Sequence, residues 1–584
     1  MIDLLTRWPS LDVAARHARL KNSCRLFGGP LTDIIDSRIA SATTAAEGLW
    51  RRDPAIWSAD PSVQQKIANR LGWLDSPALM ADAIDRLRIF ADGVKRDGFT
   101  DVVLLGMGGS SLAPEVLRAI LGTAPGYPRF QMIDSTDPAA VEAVSTVARQ
   151  TLYILASKSG GTIEPNSLAA HFRRLLEEAG VPQWADHFVA ITDEGTTLAE
   201  RARTEAFRDV FINPSDIGGR YSALSFFGLV PAALMGQDLR AIVGWGVAML
   251  AAAGESPGGG AINPAVGLGL AIGASALAGR DKLTLVCPPE LEPFGLWVEQ
   301  LIAESTGKHG RGVIPIIGEP LGTPETYGAD RLFAVLRVGD GPETAALRDL
   351  QSANAPAVAV DLPDKCALGA EFVRWEIATA IAGALLEINP FDEPNVQQAK
   401  DATRVLLDGF KAEGRLPISS PDATKRDGVA LTLSRAARKN VGAGPEHLLA
   451  QVRPGDYLAV LAYLGPAAAL MDALRAFRTA ARDRTRAATT LAYGPRYLHS
   501  TGQLHKGGPN SGVFILITTT PEIDIPIPGE SFAFGTLELA QALGDYASLD
   551  AAGRRVLHVH LPKPDPGVLT DTLGALLEAT PEPR

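Results

Sequence analysis

Residues 157 to 167 read SKSGGTIEPNS and gather Ser157, Lys158, Ser159 and Thr162 around two glycines. The run follows the apolar stretch YILA and opens a helical pattern, so it stands at a strand-to-helix turn. Exposed backbone N–H groups, hydroxyl donors and the positive end of a helix dipole make such a turn an anion site suited to one phosphate monoester. A polar turn that only caps the helix is the plainer reading, and it leaves Lys158 without a role. A second glycine turn, GMGGSSLAP over 106 to 114, lacks the G-x-G-x-x-G spacing and the later acidic residue of a dinucleotide fingerprint, so a nicotinamide cofactor is not indicated. Its glycines, Gly109 among them, let a small ligand approach the backbone, and Ser110 offers a hydroxyl to a sugar.

These turns need a frame to hold them. At 584 residues the chain exceeds one compact core, so three or four folded units are expected. Residues 1 to 92 carry helical periodicity and no strand-like run. Residues 93 to 236 then alternate short apolar strands with helices, as a parallel sheet covered on both faces requires. Residues 237 to 410 repeat that pattern, with KLTLVCPP, VIPIIG, LFAVLRVG and APAVAVDLP as strands. A polar stretch from 411 to 445 reads as a linker opening a third α/β unit, 411 to 584, which contains DYLAVLAYL, ATTLAYGP, GVFILITT and RRVLHVHLP as strands. The fold class is therefore α/β, with two parallel-sheet domains facing each other, a helical N-terminal segment and a C-terminal α/β domain.

Composition excludes several classes of function. A formal charge of -11 argues against a nucleic-acid partner, and any anionic substrate must be held by local basic groups. Three cysteines, Cys24, Cys287 and Cys366, form neither a disulfide framework nor a zinc knuckle. That suits a reducing compartment, and the N-terminus lacks the continuous apolar core of an export signal, so a cytoplasmic location is expected. The apolar run PAVGLGLAIGASALAG is too short and too rich in glycine to span a bilayer and reads as a buried helix. No membrane partner is expected.

The runs LLGMGGSSLAPEVL, SKSGGTIE, DIGGRYSALSFFGLVP, QLIAESTGKHGRG and INPFDEPNVQQAK occur in an order that resembles the glucose-6-phosphate isomerase family. The segment LAYGPRYLHSTGQLHKGGPNSGVFILIT is similar to the end of the isomerase part of bifunctional transaldolase/glucose-6-phosphate isomerases. The resemblance covers most of residues 90 to 560. It implies two sugar-isomerase (SIS) domains with the site between them, 93–236 binding phosphate and 237–410 carrying the base and a lysine. The activity it implies is interconversion of glucose 6-phosphate and fructose 6-phosphate through ring opening and a cis-enediol, with no metal or cofactor. A hexose phosphate is the implied partner, and a homodimer is compatible with the family although the third domain is available to cover that surface. Residue by residue, Glu304 matches the base, Arg220 the arginine that stabilises the enediolate, Lys400 the lysine at the ring oxygen, and Glu164 an acidic residue that holds the histidine or substrate.

Two departures stand out. Family sequences read FDQ-x-GVE-x-x-K where this chain has Glu393, Asn395 and Gln397 at the changed positions, with the spacing from Phe391 to Lys400 kept. The family's ring-opening histidine is also missing, since no histidine occurs between Gly310 and Lys400. His499 or His505, in a loop spanning 493 to 512 that folds over the site, is expected to replace it. A transaldolase reading fails for want of a β/α barrel of about 250 residues. A sugar-phosphate sensor would need the phosphate loop but no base, and retention of Glu304, Arg220 and Lys400 together favours the enzyme.

Overall fold

The computed structural model describes residues 2–144, 146–255, 263–339, 344–442 and 444–580. The runs DVVLLG, TLYILA and FVAITD, apolar at most positions, each form a strand buried along its whole length. A strand with no wet face must be covered above and below, which crossover helices accomplish in a parallel sheet.

The first strand of the chain, β1 (Cys24–Phe27), is distant from the five that follow. β2 (Asp101–Gly106), β3 (Arg129–Ile133), β4 (Thr151–Ala156), β5 (Phe188–Asp193) and β6 (Asp209–Asn213) make a parallel sheet in the order β3-β2-β4-β5-β6. β7 (Lys282–Val286), β8 (Ile314–Ile316), β9 (Arg331–Val338) and β10 (Ala357–Leu362) make a second parallel sheet, to whose edge β1 adds antiparallel along β10. β11 (Ala423–Thr424), β12 (Ala430–Leu433), β13 (Tyr457–Tyr463), β14 (Ala488–Tyr493), β15 (Gly512–Thr519) and β16 (Arg555–Leu561) form a third sheet, in the order β11-β12-β16-β15-β13-β14. The first sheet changes its direction of winding between β2 and β4, and the crevice beyond such a switch is where open α/β sheets receive ligands. There Gly106 pairs with Ala156, so the glycine turn and the SKSGG loop leave the sheet side by side.

Two readings of the sequence need correction. Residues 1 to 92 are not wholly helical, because Cys24–Phe27 forms β1; four residues are too few to impose a period, and the sheet edge supplies their partner. The stretch 411 to 445 is not a plain linker. It holds the end of the Val396–Glu413 helix, the β11–β12 hairpin and the Arg435–Asn440 helix, and β12 completes the third sheet by pairing antiparallel with β16. Leu406, Leu407 and Phe410 pack the Val396–Glu413 helix against Leu168 and Phe172 of the first domain and Phe534 and Leu537 of the third. The position of Lys400 is thereby tied to both.

Three helices, Leu239–Ala253, Pro264–Leu277 and Leu368–Leu385, are apolar almost all round and form the middle of the core. No helix among the described residues is long and apolar enough to cross a membrane. The Leu368–Leu385 helix carries buried ionisable groups: Glu371 and Arg374 pair at 3.0 Å, but one carboxyl oxygen of Glu376 has no partner. Burial alone pushes the Glu376 carboxyl well above its ordinary 4.5, so it is held protonated in the fold. The unfolded chain releases that proton above about pH 4.5, so stability falls as pH rises towards the folded value. Glu376→Gln keeps the shape without the titration. Its thermal midpoint should exceed the parent's by a margin that widens from pH 5 to pH 8; an equal margin at both would show that the group does not titrate on unfolding.

Candidate active site

A cleft of about 530 Å³ opens beyond the β2–β4 switch point, bounded by the first domain's loops, the Phe294–Thr306 helix, the start of the Val396–Glu413 helix and His499 of the third domain. A helix that follows a parallel strand runs back along the sheet. The Phe294–Thr306 helix therefore brings its C-terminal turn, with Glu304, to face loops at the carboxyl ends of the first sheet.

Glu304 is 8% exposed and is held on both oxygens. Arg220 Nη1 lies 3.2 Å from Oε1, and Gln300 Nε2, one helical turn back, donates to Oε2 at 3.1 Å. Burial pushes the Glu304 carboxyl above its ordinary 4.5; Arg220 pulls it down and the Glu393 charge pushes it up again. Arg220 sits in the Gly219–Tyr221 turn and is itself 3% exposed. Its Nε donates to Ser305 Oγ at 2.8 Å, Nη1 to Glu393 Oε2 at 3.0 Å, and Nη2 to the carbonyls of Pro390 at 2.7 Å and Asp392 at 2.9 Å. Burial would weaken its charge, but the two carboxylates more than offset this and hold the guanidinium ionised. Lys308, beyond the helix end, pairs with Asp392 at 2.8 Å, and burial draws its ammonium down to about 8.

On the opposite wall His499 Nε2 meets Glu164 Oε1 at 2.9 Å, and Gln541 Nε2 donates to the same oxygen at 2.7 Å. Burial pushes the Glu164 carboxyl up, yet His499 beside it and Lys400 nearby lower it further, so it stays a carboxylate. The turn carrying His499 is anchored by Arg496, which grips Asp134 of the first domain at 2.6 and 2.8 Å, and by Gln300, which donates to the His499 carbonyl at 2.8 Å. Gln503, further along, donates to the Gly307 carbonyl at 2.9 Å and to Asn395 Oδ1 at 2.8 Å, and accepts from the Asn395 N–H at 2.8 Å. Lys400 lines the cleft, and its ammonium has no hydrogen bond among the described residues.

Ser157, Lys158, Ser159 and Thr162 lead into the helix Ile163–Glu178. Thr162 stands at its N-cap without capping it; its hydroxyl bonds Ser157 Oγ at 2.9 Å, so the first-turn amides have no cap from that side chain. Lys158 is ion-paired to Asp193 and donates to the Ser215 carbonyl at 3.0 Å. Burial pushes the Asp193 carboxyl up, with Lys158 opposing. Ser159, Gly109 and Ser110 line the cleft between these walls.

The structure thus brings Glu304, Arg220, Lys400, His499, Gly109, Ser110, Lys158, Ser159 and Thr162 into one cleft, with Ser157 and Glu164 bonded directly to members of it. His505 lies elsewhere. It is 2% exposed, its Nδ1 is 3.1 Å from Tyr457 Oη, and its ring packs on Tyr457, Tyr497 and Phe514. Burial, with Lys506 and Arg554 nearby, pushes its imidazole well below 6.5, so it stays neutral there. Sequence reasoning missed Gln300, Asp193 and Gln541. Gln300 had a signal, standing four residues before Glu304; Asp193 and Gln541 had none, because only tertiary folding brings them in.

Residues 79–309 match the family model described as phosphoglucose isomerase. A glucose-6-phosphate isomerase of Synechococcus sp. is 28% identical over 477 residues, covering 70% of this chain and 85% of that protein. A second, from Trichormus variabilis, is 28% identical over 448 residues and covers 68% and 80%. Among solved structures, a hypothetical protein from Thermus thermophilus superposes with a TM-score of 0.53 at 25% identity, over 65% of this chain and 99% of that one. Paired α/β sheets about a buried carboxylate, together with these relatives, define the class of the protein as an isomerase. Residues 79–309 thus resemble the phosphoglucose isomerase family, and the curated relatives extend that likeness over about two thirds of the chain.

One contact in the cleft has no slack. A Cβ on Gly109 would lie 2.1 Å from the Gly219 carbonyl oxygen, immediately before Arg220, whereas one on Gly161 would meet nothing within 4 Å. Gly109→Ala should lower stability by about 1–3 kcal/mol, as overpacking does, with Gly161→Ala close to the parent. Denaturation midpoints of the two variants check this; equal values would show that the turn yields freely.

Proposed function

We propose that this isomerase interconverts glucose 6-phosphate and fructose 6-phosphate, with Glu304 as the base. The observation that carries the reading is the Glu304–Arg220 pair: a buried carboxylate of raised proton affinity beside a permanently charged guanidinium, across a cleft from an anion-binding turn. The substrate phosphate is assigned to Ser157, Lys158, Ser159 and Thr162, and its hydroxyls to Gly109 and Ser110.

Ring opening breaks the C1–O5 bond: a proton leaves the O1 hydroxyl and O5 gains one. His499, oriented by Glu164, and Lys400 are the pair assigned to these transfers. Glu304 then takes the proton from C2; the C–H electron pair becomes the C1–C2 double bond, and negative charge passes to O1 near Arg220. Glu304 returns its proton to C1 while the hydroxyl proton moves from O2 to O1, giving the ketose. The route draws only on side chains of this chain. The same reading assigns the enzyme to the cytoplasm. Its three free thiols accord with that, each pushed up by burial, Cys24 and Cys366 to about 11 and Cys287 to about 12.

A coupled assay of fructose 6-phosphate conversion tests the reading. Glu304→Gln should cut kcat by about 10²- to 10⁴-fold, the usual contribution of a positioned base; parental turnover in the variant would overturn the assignment. Glu304 acts unprotonated and its carboxyl is raised, so kcat/KM should fall with acidification at a pH above the ordinary 4.5. His499→Gln should slow closed-ring substrate by at least about tenfold, and a parental rate would remove His499 from ring opening.

A further inference from the structure

Arg220 does not belong to Glu304 alone. One nitrogen, Nη1, is 3.2 Å from Glu304 Oε1 and 3.0 Å from Glu393 Oε2, so two carboxylates share a single N–H₂ edge of the guanidinium. They differ in setting. The Glu393 side chain is 44% exposed, whereas that of Glu304 is 11% exposed. Glu393 stands where the resembling sequences carry a neutral glutamine, and its carboxylate shares Arg220 with Glu304.

We propose that Glu393 is a positioning residue that strengthens Glu304 as a base by taking part of Arg220's charge. The inference rests on the reading of Glu304 given above. Among the groups around Glu304, its own helix contributes only the neutral Gln300, and the segment beyond contributes Lys308, already paired with Asp392. The turn 219–221 contributes Arg220, and the third domain contributes His499, whose carbonyl takes the Gln300 amide and whose ring faces Glu164. Lys400 borders the same cleft. Of these, Glu393 alone is an anion bonded to the cation that Glu304 uses. Burial is the first reason for the raised Glu304 carboxyl, Arg220 opposes it, and Glu393 restores part of what Arg220 removes.

The chemistry gives this arrangement a use. A base paired with an undivided, buried guanidinium is too weak to take a carbon-bound proton readily, while one without the guanidinium leaves the enediolate unstabilised. Sharing Arg220 relaxes the first constraint and keeps the cation for the second. Glu393 reaches solvent, so it does not bear the desolvation that Glu304 does.

The test compares the parent with Glu393→Gln, which keeps shape and hydrogen-bonding capacity, and with Glu393→Asp, which keeps charge. In Glu393→Gln the acid limb of kcat/KM should move down by about half a pH unit or more, and plateau kcat should fall several-fold. KM should stay the same or fall, since the cleft gains net positive charge. Glu393→Asp should lie nearer the parent. A carboxyl-carbon NMR titration of Glu304, assigned by its loss in Glu304→Gln, reads the same shift without activity. If the limb and the resonance both stay at the parental pH in Glu393→Gln, the proposal is overturned. If the parent does not isomerise fructose 6-phosphate, the reading of the reaction fails, and the NMR titration still decides whether Glu393 sets the Glu304 proton affinity.

Discussion

Arg220 is the constraint to which the rest of the structure answers. A buried guanidinium is costly unless every donor is met, and this one is met from three directions: Ser305 and Glu304 on the Phe294–Thr306 helix, Glu393 at the cleft rim, and the carbonyls of Pro390 and Asp392. The turn that carries it belongs to the first domain and its acceptors to the second. Satisfying one cation therefore fixes how the two sheets face each other. The same contacts fix Glu304, since its carboxylate has little freedom once Arg220 and Gln300 hold its oxygens. The bonds that set its geometry also moderate a proton affinity that burial raises.

The third domain completes the cleft by the same means. Arg496 on Asp134, Gln503 on Gly307 and Asn395, and the His499 carbonyl on Gln300 tie a single loop to both other domains. Gln541 from the Phe534–Ala551 helix reaches Glu164 and also accepts from Thr136 at 2.9 Å. The departures from the family pattern make sense in this company. Glu393 meets Arg220, and Asn395 meets Gln503, a residue of the loop that also brings His499. The third changed residue, Gln397, donates to Asp401 along its own helix, and that helix, from Val396, brings Lys400 to the cleft.

Much of this was legible in the sequence, for a physical reason. Strands such as TLYILA and YLAVLAY are buried on both faces and so carry an apolar signal that needs no tertiary knowledge. The turns after β2 and β4 declare themselves by glycine and hydroxyl residues that a close approach to a ligand demands. What stayed illegible depends on pairing across the chain. β1 is a four-residue edge strand defined only by β10. The polar run 411–445 hides β12, whose partner β16 lies more than a hundred residues on. His499 and His505 stand six residues apart in one loop, and nothing local separates them. One turn faces Glu164, and the next folds back under Tyr457, because Tyr497 and Lys506 both anchor on the buried Asp545.

The electrostatics of the cleft follow from the net acidity of the chain. With a formal charge of -11, the long-range field opposes a phosphate ester, so attraction must come from cations at contact distance. Most of those cations are already matched: Lys158 by Asp193, Lys308 by Asp392, and Arg220 by Glu304 and Glu393. A phosphate held at the SKSGG loop would therefore meet Lys158 in exchange for part of its bond to Asp193, rather than a bare charge. Burial already favours the protonated form of Asp193, and proton uptake there would release Lys158 towards the ligand. Around Glu304 partners are shared in the same way, with Arg220 divided between two carboxylates. Exchange of partners costs less than creating or burying a new charge, and under the proposed isomerisation it would let a low-dielectric cleft accept a dianion and a transient enediolate without unfolding around them.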